Sequence, residues 1–290
     1  MRSSRLLAVV AVALLLPSGT AAAPDATAAS TCADPAAQGC VRTSTVRVGP
    51  ETATATTVRA IQFNLCDSGI APCYTHDRSP GEAAAVIDRY APTVVTLNEI
   101  CSRNVLDATA PIPAAMARVA AAAGDSTVVA AFTPAVNSIA HAPYRCVNGD
   151  EYGIGLVVRG PGPATARARY LYRVQFARTG EHRVAACLAV GGTDFCTTHL
   201  ESDDRAVAAG QCRELMDTDV PAFRTATRPP TVVGGDLNLL TACTPPGWGA
   251  RGDRGVQHVL WAGGFRLAFT RTIAMHDTDH PALLVDLTRT

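Results

Sequence analysis

Residues 231–238 read TVVGGDLN, and this stretch carries the pattern that decides the fold. The three β-branched residues 231–233 predict a buried strand, and two glycines follow them. Asp236 and Asn238 then place a carboxylate and an amide where that strand ends. Taken alone, the same letters could also form a tight turn, because glycine frees the backbone and Asp and Asn hydrogen-bond locally.

Other segments repeat the pattern of an apolar strand, or a loop, that presents carboxylate, amide or imidazole groups. Polar groups at the mouth of a strand cost desolvation free energy unless they find partners, so we expect these side chains to converge. Oxygen ligands of this kind suit Mg²⁺, with Mn²⁺ or Ca²⁺ as alternatives, and histidines beside such an ion can supply acid–base chemistry. The segments are residues 63–64 (FN), 97–99 (LNE), 198–199 (TH) and 278–280 (TDH).

The strands around these segments predict an α/β (α+β) protein. Alternating or β-branched runs predict strands, and helices are expected at residues 81–90 and 203–216, with a third, alanine-rich one within 103–123. Few helices connect the strands, which favours mixed or antiparallel sheets over a doubly wound parallel one. We therefore expect two packed sheets with helices outside. The predicted strands are residues 58–65, 93–97, 126–132, 152–158, 184–190, 194–198, 231–233, 257–261 and 282–287.

Composition excludes a disordered chain and gives no support to a basic nucleic-acid-binding face. Of 290 residues, 48% are hydrophobic and 17% are charged, and 25 positive side chains balance 25 negative ones. A large core is therefore expected, while a locally basic groove stays open. No protein partner is implied, and we expect a monomer.

The amino terminus predicts export. Two arginines precede a short apolar run and then small residues, which is typical of a secretory signal, and the run is too short for a membrane-spanning helix. We assign residues 1–23 to the signal, with cleavage between residues 20 and 29, and 24–57 to a loosely ordered leader. The catalytic domain is then 58–290, and the protein is expected to be secreted and extracellular.

Ten cysteines after the signal predict disulfides, because an even number in an exported protein favours pairing. The sequence contains no C-x-x-C motif, so we do not expect a zinc or redox site made of cysteines. The spacing alone leaves the connectivity open, and pairs that close short loops are favoured. The favoured pairs are Cys32–Cys40, Cys66–Cys73, Cys187–Cys196 and Cys212–Cys243, which leaves Cys101–Cys146.

The order of these motifs resembles the endonuclease/exonuclease/phosphatase superfamily. FN, LNE, TTHLES, GGDLN and TDHP follow one another from about residue 59 to the carboxyl terminus. The resemblance implies a four-layer sandwich of two packed mixed or antiparallel sheets flanked by helices. It also implies a metal-dependent hydrolase that acts on phosphate esters with Mg²⁺ or a similar ion.

The resemblance implies a role for each matching residue. Metal-site roles fall to Asn64, Glu99 and Asp279, while Asp236 would lie beside the nucleophilic water and Asn238 would bind a phosphate oxygen. His280 would be the general base, and His199 would protonate or stabilise the developing oxyanion. Tyr152 and Arg159 match a strand that lines the substrate cleft, and Arg183 matches a structural arginine.

One position departs from the superfamily pattern. An aspartate usually orients the base histidine, and Gln257 stands in its place here. The amide oxygen of Gln257 can accept the N–H of His280 and fix its tautomer, but it cannot stabilise an imidazolium as a carboxylate would. We expect a slower reaction or one that is shifted to higher pH, unless His258 or Asp277 compensates.

The substrate class stays open between several phosphate esters. A nuclease acting on DNA or RNA is favoured, and the arginines between positions 167 and 183 are compatible with it, although they could equally form a solvated face. A phospholipid or sphingomyelin phosphodiesterase would need an exposed apolar hairpin, and an inositol-phosphate phosphatase is a further alternative. A catalytically silent binding module with the same fold is the alternative from another class.

Overall fold

The computed structural model describes residues 26–27, 41–50, 57–178, 180–224 and 228–290, and more of these residues lie in strands than in helices. Its helices are α1 (Ser79–Tyr90), α2 (Arg103–Leu106), α3 (Pro111–Ala123), α4 (Arg205–Glu214) and α5 (Val220–Phe223), with a π-helical turn at Leu215–Asp219 between the last two. Its strands are β1 (Ala26–Thr27), β2 (Arg42–Arg47), β3 (Thr57–Asn64), β4 (Val94–Cys101), β5 (Thr127–Pro134), β6 (Val136–Asn137), β7 (Ala142–Pro143), β8 (Tyr152–Gly160), β9 (Ala166–Leu171), β10 (Glu181–His182), β11 (Val184–Val190), β12 (Thr193–His199), β13 (Thr231–Asp236), β14 (Gly249–Gly252), β15 (Gln257–Ala262), β16 (Phe265–Ile273) and β17 (Ala282–Arg289).

Two large sheets form the middle of the molecule. Within the described ranges, one has the strand order β1-β2-β5-β8-β4-β3-β17-β16 and the other the order β14-β15-β13-β12-β11-β9. Both are mixed, because β3 pairs with β4, and β12 with β13, in parallel while their other neighbours are antiparallel. The strands β10-β6-β7 form a small third sheet of their own.

Three apolar clusters fill the spaces between four layers. One joins α1 and α3 to the outer face of the larger sheet, and one joins α4 and α5 to the outer face of the smaller sheet. The third lies between the sheets, where Leu156 and Leu283 of one meet Phe195 and Val232 of the other. The expected four-layer α/β sandwich of two packed sheets flanked by helices is therefore confirmed.

Glycines at 234 and 235 let β13 approach its neighbours closely. A Cβ atom on Gly234 would collide with the side chain of Thr96 on β4, and one on Gly235 would collide with the backbone oxygen of Thr198 on β12. Neither glycine has the positive φ that a tight turn would require. Neither glycine therefore serves a turn: Gly234 lets the smaller sheet approach the larger one, and Gly235 lets β13 lie close to β12 within the smaller sheet.

The larger sheet begins earlier in the chain than the sequence indicates. Arg42–Arg47 pairs along its length with β5, although these residues fall within the stretch 24–57 that was expected to be a loose leader. Val46 is buried in the core beneath α1 and α3, and this burial stabilises the pairing of the strand with the sheet. The signal assignment 1–23 lies outside the described residues.

Disulfides link four pairs in the described part of the chain. They are Cys66–Cys73, Cys101–Cys146, Cys187–Cys196 and Cys212–Cys243, which coincide with the pairs that short loops favour and the pair left over. Cys32 and Cys40 lie outside the described residues. None of the helices in the described ranges combines the length and hydropathy that a membrane span would need.

Candidate active site

A cavity of about 270 Å³ opens where the strands that carry the motifs end. The parallel pairing of β3 with β4 places Asn64 opposite Asn98, and that of β12 with β13 places His199 opposite Asp236. The carboxyl ends of these strands therefore meet at one edge of the sandwich. The cavity is lined by Ser68, Ile70, Ala71, Glu99, Tyr144, Tyr152, Glu181, Arg183, His199, Ser202, Asp236, Asn238 and His280.

A bulge in β4 directs Glu99 into this cavity. The pairing of β4 with β8 shifts register between Leu97 and Ile100, and Glu99 has a left-handed backbone with φ of 52°. A glutamate in this conformation is strained, and such strain persists only where the surrounding fold imposes it. Asn238 is also left-handed, with φ of 50°, a conformation that asparagine tolerates better than glutamate does.

Two carboxylates face each other across a shared amide. Asn64 Nδ2 donates to Glu99 Oε1 at 2.8 Å and to Asp236 Oδ2 at 3.2 Å, while its Oδ1 accepts the backbone N–H of Cys66. Burial, with a smaller contribution from the charge of Asp236, raises the pKa of Glu99. Asn64 thus holds the carboxylates together through its nitrogen, while its oxygen accepts one hydrogen bond and keeps a second lone pair, so its assignment to the metal site stays a prediction.

Asp279 lies at the rim and does not line the cavity. Its carboxylate is 3.7 Å from His280 Nε2, its side chain is 58% exposed, and an oxygen lies beside the sulfurs of Cys66 and Cys73. The contacts of Asp279 are therefore with the rim, whereas Glu99 and Asp236 form the carboxylate pair inside. Its assignment to the metal site stays a prediction.

His199 is buried against a guanidinium. Arg183 Nη1 lies 3.0 Å from His199 Nδ1, and the same guanidinium contacts Glu181 at 3.0 Å and Ser202 at 3.4 Å. Burial, then the charges of Arg183 and His280, hold the pKa of His199 well below its usual value. A neutral imidazole is therefore expected here, which favours oxyanion stabilisation over protonation.

Gln257 joins His280 to Asp236, but through its nitrogen. Gln257 Nε2 donates to Asp236 Oδ2 at 2.6 Å and lies 3.3 Å from His280 Nδ1, while its Oε1 accepts from Gln62 Nε2 at 3.0 Å. The expectation that the Gln257 oxygen accepts from His280 is wrong, because that oxygen faces the other sheet. Of the proposed compensators, His258 bonds to the backbone oxygen of Leu239 and Asp277 pairs with Arg78.

The two residues of β8 that were expected to contact substrate lie at different places in the structure. Tyr152 lines the cavity and is buried, and burial raises its pKa well above the ordinary value. Arg159 instead forms a buried ion pair with Asp125 and donates to the backbone oxygen of Pro92. Seven strand residues at about 3.3 Å each separate the two, so Arg159 does not line this cavity, and the expectation that it lines the cleft together with Tyr152 is corrected.

Arg183 and Gln62 have closer contacts with the site than the sequence predicts. Arg183 was identified only as a structural arginine, yet it forms part of the cavity wall with Glu181. Gln62 is fully buried and contacts Asn98 and Gln257. A lone amide in the apolar stretch VRAIQFNL was the available signal, since a buried amide requires partners.

A buried carboxyl beside the site makes the stability of the fold depend on pH. Asp67 is 1% exposed, its Oδ2 accepts from Asn104 at 2.7 Å and from the N–H of Cys101 at 3.3 Å, and its Oδ1 finds no partner among the described residues. Burial raises its pKa to about 7 from 3.8. The folded state thus binds more protons than the unfolded state between these values, so stability falls as pH rises from about 4 to 7.

Asp67→Asn is expected to raise the melting temperature at pH 8 and to reduce its fall between pH 5 and 8. The new amide keeps the accepting oxygen and removes the buried charge. The melting temperature of the variant should still fall somewhat as pH rises, because Asp194 and Asp219 have raised pKa values of about 6 and 7. Thermal melts across pH test this, with exposed Asp88→Asn as the control. An unchanged slope in Asp67→Asn would contradict the assignment.

Comparisons with known proteins identify the fold. No family model and no curated protein matches the sequence. An endonuclease/exonuclease/phosphatase structure from Beutenbergia cavernae DSM 12333 matches with a TM-score of 0.55 and 19% identity, over 81% of this chain and 72% of the other. The catalytic domain of human Nocturnin matches with a TM-score of 0.55 and 15% identity, over 81% and 94%.

This chain has the endonuclease/exonuclease/phosphatase fold. A structure of ANGEL2, a 2′,3′-cyclic phosphatase, also matches, with a TM-score of 0.55 and 10% identity over 80% of this chain and 96% of the other. The expected resemblance is therefore confirmed at the level of the endonuclease/exonuclease/phosphatase fold. At 10–19% identity these neighbours show the fold alone, so the chemistry of this chain must be argued from its own cavity.

Proposed function

We propose that the chain is a secreted, metal-dependent phosphoesterase that hydrolyses phosphodiester bonds, with DNA or RNA as its substrate. The observation that carries the proposal is that two carboxylates and several hydrogen-bond donors line the same cavity. The carboxylates of Glu99 and Asp236 lie together on one side, and hydrogen-bond donors from Arg183, His199 and Asn238 surround the remainder. Paired carboxylates suit a cation, and the donors suit phosphate oxygens.

The residues present fit a hard divalent cation. Glu99 and Asp236 share a single amide donor, and burial penalises the charge on Glu99, so a cation between them would relieve an unfavourable arrangement. Glu99 is the expected ligand, with Asp279 as a candidate from the rim. Bound there, Mg²⁺ would neutralise phosphate charge and polarise the P–O bond.

The side chains can divide the remaining work of an in-line displacement. Asp236 accepts a hydrogen bond from the attacking water and orients it. Asn238 uses one amide hydrogen on the backbone oxygen of Leu200 at 2.8 Å and has a second for a phosphate oxygen. His199, neutral and buried, donates to another oxygen. Each such donor contributes about 2.7–4 kcal/mol to transition-state stabilisation.

Export is supported by the disulfides. Four pairs occur in the described part of the chain, and disulfides persist in oxidising compartments. The chemistry proposed here uses no thiol, so oxidation leaves the reactive groups intact. The amino-terminal signal remains the sequence-based part of this proposal.

A lipid phosphodiesterase is the second candidate, because apolar side chains are exposed beside the cavity. Ile70 lines the cavity and is 57% exposed, and Val147, which is 63% exposed, packs against the neighbouring Gly69. Ile139, at 84% exposure, lies between the hairpin strands β6 and β7. Such residues could enter a membrane surface.

One assay separates these functions. Purified mature protein is incubated with plasmid DNA, RNA, sphingomyelin vesicles, an inositol phosphate and a chromogenic phosphodiester, each with Mg²⁺ and with EDTA. We expect nucleic-acid cleavage that requires Mg²⁺ and falls at high salt. Preferred turnover of vesicles would select the lipid enzyme, and binding without turnover of any substrate would select the silent module. Cleavage at an equal rate in the presence of EDTA would refute the proposed dependence on a metal ion.

A further inference from the structure

The proton positions on the two cavity histidines follow from their neighbours. A neutral imidazole has one N–H donor and one acceptor nitrogen, and the partner of one nitrogen decides which is which. A neighbour that can only donate forces the facing ring nitrogen to accept. Both His199 and His280 have such a neighbour at Nδ1.

For His199 the donor is Arg183. A guanidinium carries only N–H groups, so the 3.0 Å contact from Arg183 Nη1 makes His199 Nδ1 an acceptor. Glu181 and Ser202 hold the guanidinium in place at 3.0 and 3.4 Å. The proton of the neutral ring is then on Nε2, which faces the cavity and lies 3.8 Å from Glu99 Oε1.

For His280 the donor is fixed by a relay of amides that begins at the backbone. The N–H of Asp236 donates to Asn98 Oδ1 at 2.7 Å, so this atom must be the oxygen. The same oxygen accepts from Gln62 Nε2 at 2.7 Å, and Thr96 donates its hydroxyl to Gln62 Oε1. These contacts leave one consistent orientation for both amides.

The relay ends in Gln257. Gln62 Nε2 donates to Gln257 Oε1 at 3.0 Å, which turns the Gln257 nitrogen toward Asp236 Oδ2 at 2.6 Å and His280 Nδ1 at 3.3 Å. Reversing Gln257 would set its oxygen against the Asp236 carboxylate and its nitrogen against the nitrogen of Gln62. His280 Nδ1 therefore accepts, and its proton is on Nε2.

We propose that Arg183 and Gln257 are positioning residues that hold both cavity histidines as Nε2–H tautomers, so that each donates to the substrate phosphate and neither removes the proton of water. The tautomers stand on the hydrogen bonds alone, whereas the roles toward phosphate rest on the proposed phosphoesterase function. Asp236 is then the acceptor for the water proton, and the sequence-based role of His280 as base is replaced.

The tautomers can be measured without turnover. Nuclear magnetic resonance of the metal-free mature protein, with isotope-labelled histidine at about pH 8, distinguishes protonated from unprotonated ring nitrogens in neutral rings. Variants His199→Gln and His280→Gln assign their signals among the seven histidines. We expect unprotonated Nδ1 and protonated Nε2 in both. A protonated Nδ1 in either ring would overturn the proposal.

Substitutions of the positioning residues test the cause. Arg183→Lys keeps a donor-only neighbour and should preserve the His199 tautomer, whereas Arg183→Gln, which can also accept, should permit the other. Gln257→Met removes the donor from His280, and its spectrum should show a mixture of tautomers for that ring alone. Where Gln257→Met fails to fold, Gln62→Met tests the same ring by freeing the orientation of Gln257 from the other sheet. Unchanged spectra in the folded variants would contradict a positioning role.

Activity separates a donor from a base. His280→Ala is expected to lower kcat about 10²–10³-fold, and His280→Gln, which retains an N–H, should recover at least about tenfold of that loss. Equal activities of the two variants would overturn the donor role. If the wild type turns over no phosphate ester, the proposed function fails while the resonance experiment still decides the tautomers.

Discussion

Glu99→Gln is expected to lower kcat by about 10³-fold or more while leaving the melting temperature unchanged or higher. Removal of the ion's charge stabilisation costs several kcal/mol, and each 1.36 kcal/mol is worth a factor of about ten in rate. The fold should tolerate the change, because the glutamine oxygen can still accept from Asn64 and the buried charge disappears. Steady-state kinetics and thermal melts of the same preparation measure both effects.

The matched control is Asp88→Asn, which neutralises a carboxylate in an exposed ion pair with Arg118. Its kcat should equal that of the wild type, since the pair lies between α1 and α3 outside the cavity. Added Mg²⁺ should raise the melting temperature of the wild type and of this control but not of Glu99→Gln. Near-normal turnover by Glu99→Gln would remove Glu99 from the metal site.

Gly234→Ala is expected to destabilise the protein by about 1–3 kcal/mol and to reduce kcat about 10²-fold. The added methyl group collides with the Thr96 side chain in the packed interface between the sheets, and overpacking of this kind costs about that much. Thr96 also donates to Gln62, so its displacement disturbs the orientation of Gln257. A shift of about 1 Å in an active site can cost about 10²-fold.

Chemical denaturation and kinetics of four proteins test this mechanism: the wild type, Gly234→Ala, Thr96→Ala and the double variant. Because Thr96→Ala removes Oγ1 and Cγ2, the two atoms that the new methyl group approaches most closely, the double variant should be more stable than the sum of the single effects indicates. Gly81→Ala, in an exposed helical turn with open space around it, should leave stability equal or slightly higher. Strict additivity would show that Thr96 is not the obstacle.

Most of the strands and the positions of the motifs could be predicted from the sequence, because both depend on local patterns. Residues 184–190 were predicted with the bounds that the structure has, since a fully apolar strand is recognised by composition alone. The edge strand Phe265–Ile273 was missed, because most of its side chains are exposed and no buried alternation marks it. Edge strands of this kind carry a weak sequence pattern.

Contacts that cross between the sheets could not be predicted from the sequence. The direction of the Gln257 amide depends on Gln62, which is 195 positions away, and on a backbone N–H that fixes Asn98. Arg183 could equally have been a surface residue until the fold placed Glu181 and His199 around it. The misassignment of Arg159 was avoidable, because strand geometry already separates it from Tyr152.

Because the cavity is formed by both sheets, catalysis requires the two sheets to be packed together. Glu99, Gln62 and His280 belong to one sheet or its loops, whereas His199 and Asp236 belong to the other. A molecule whose sheets have parted has no complete site. Loss of turnover on heating should then coincide with the cooperative loss of sheet docking, so an assay of the proposed activity can count correctly folded molecules.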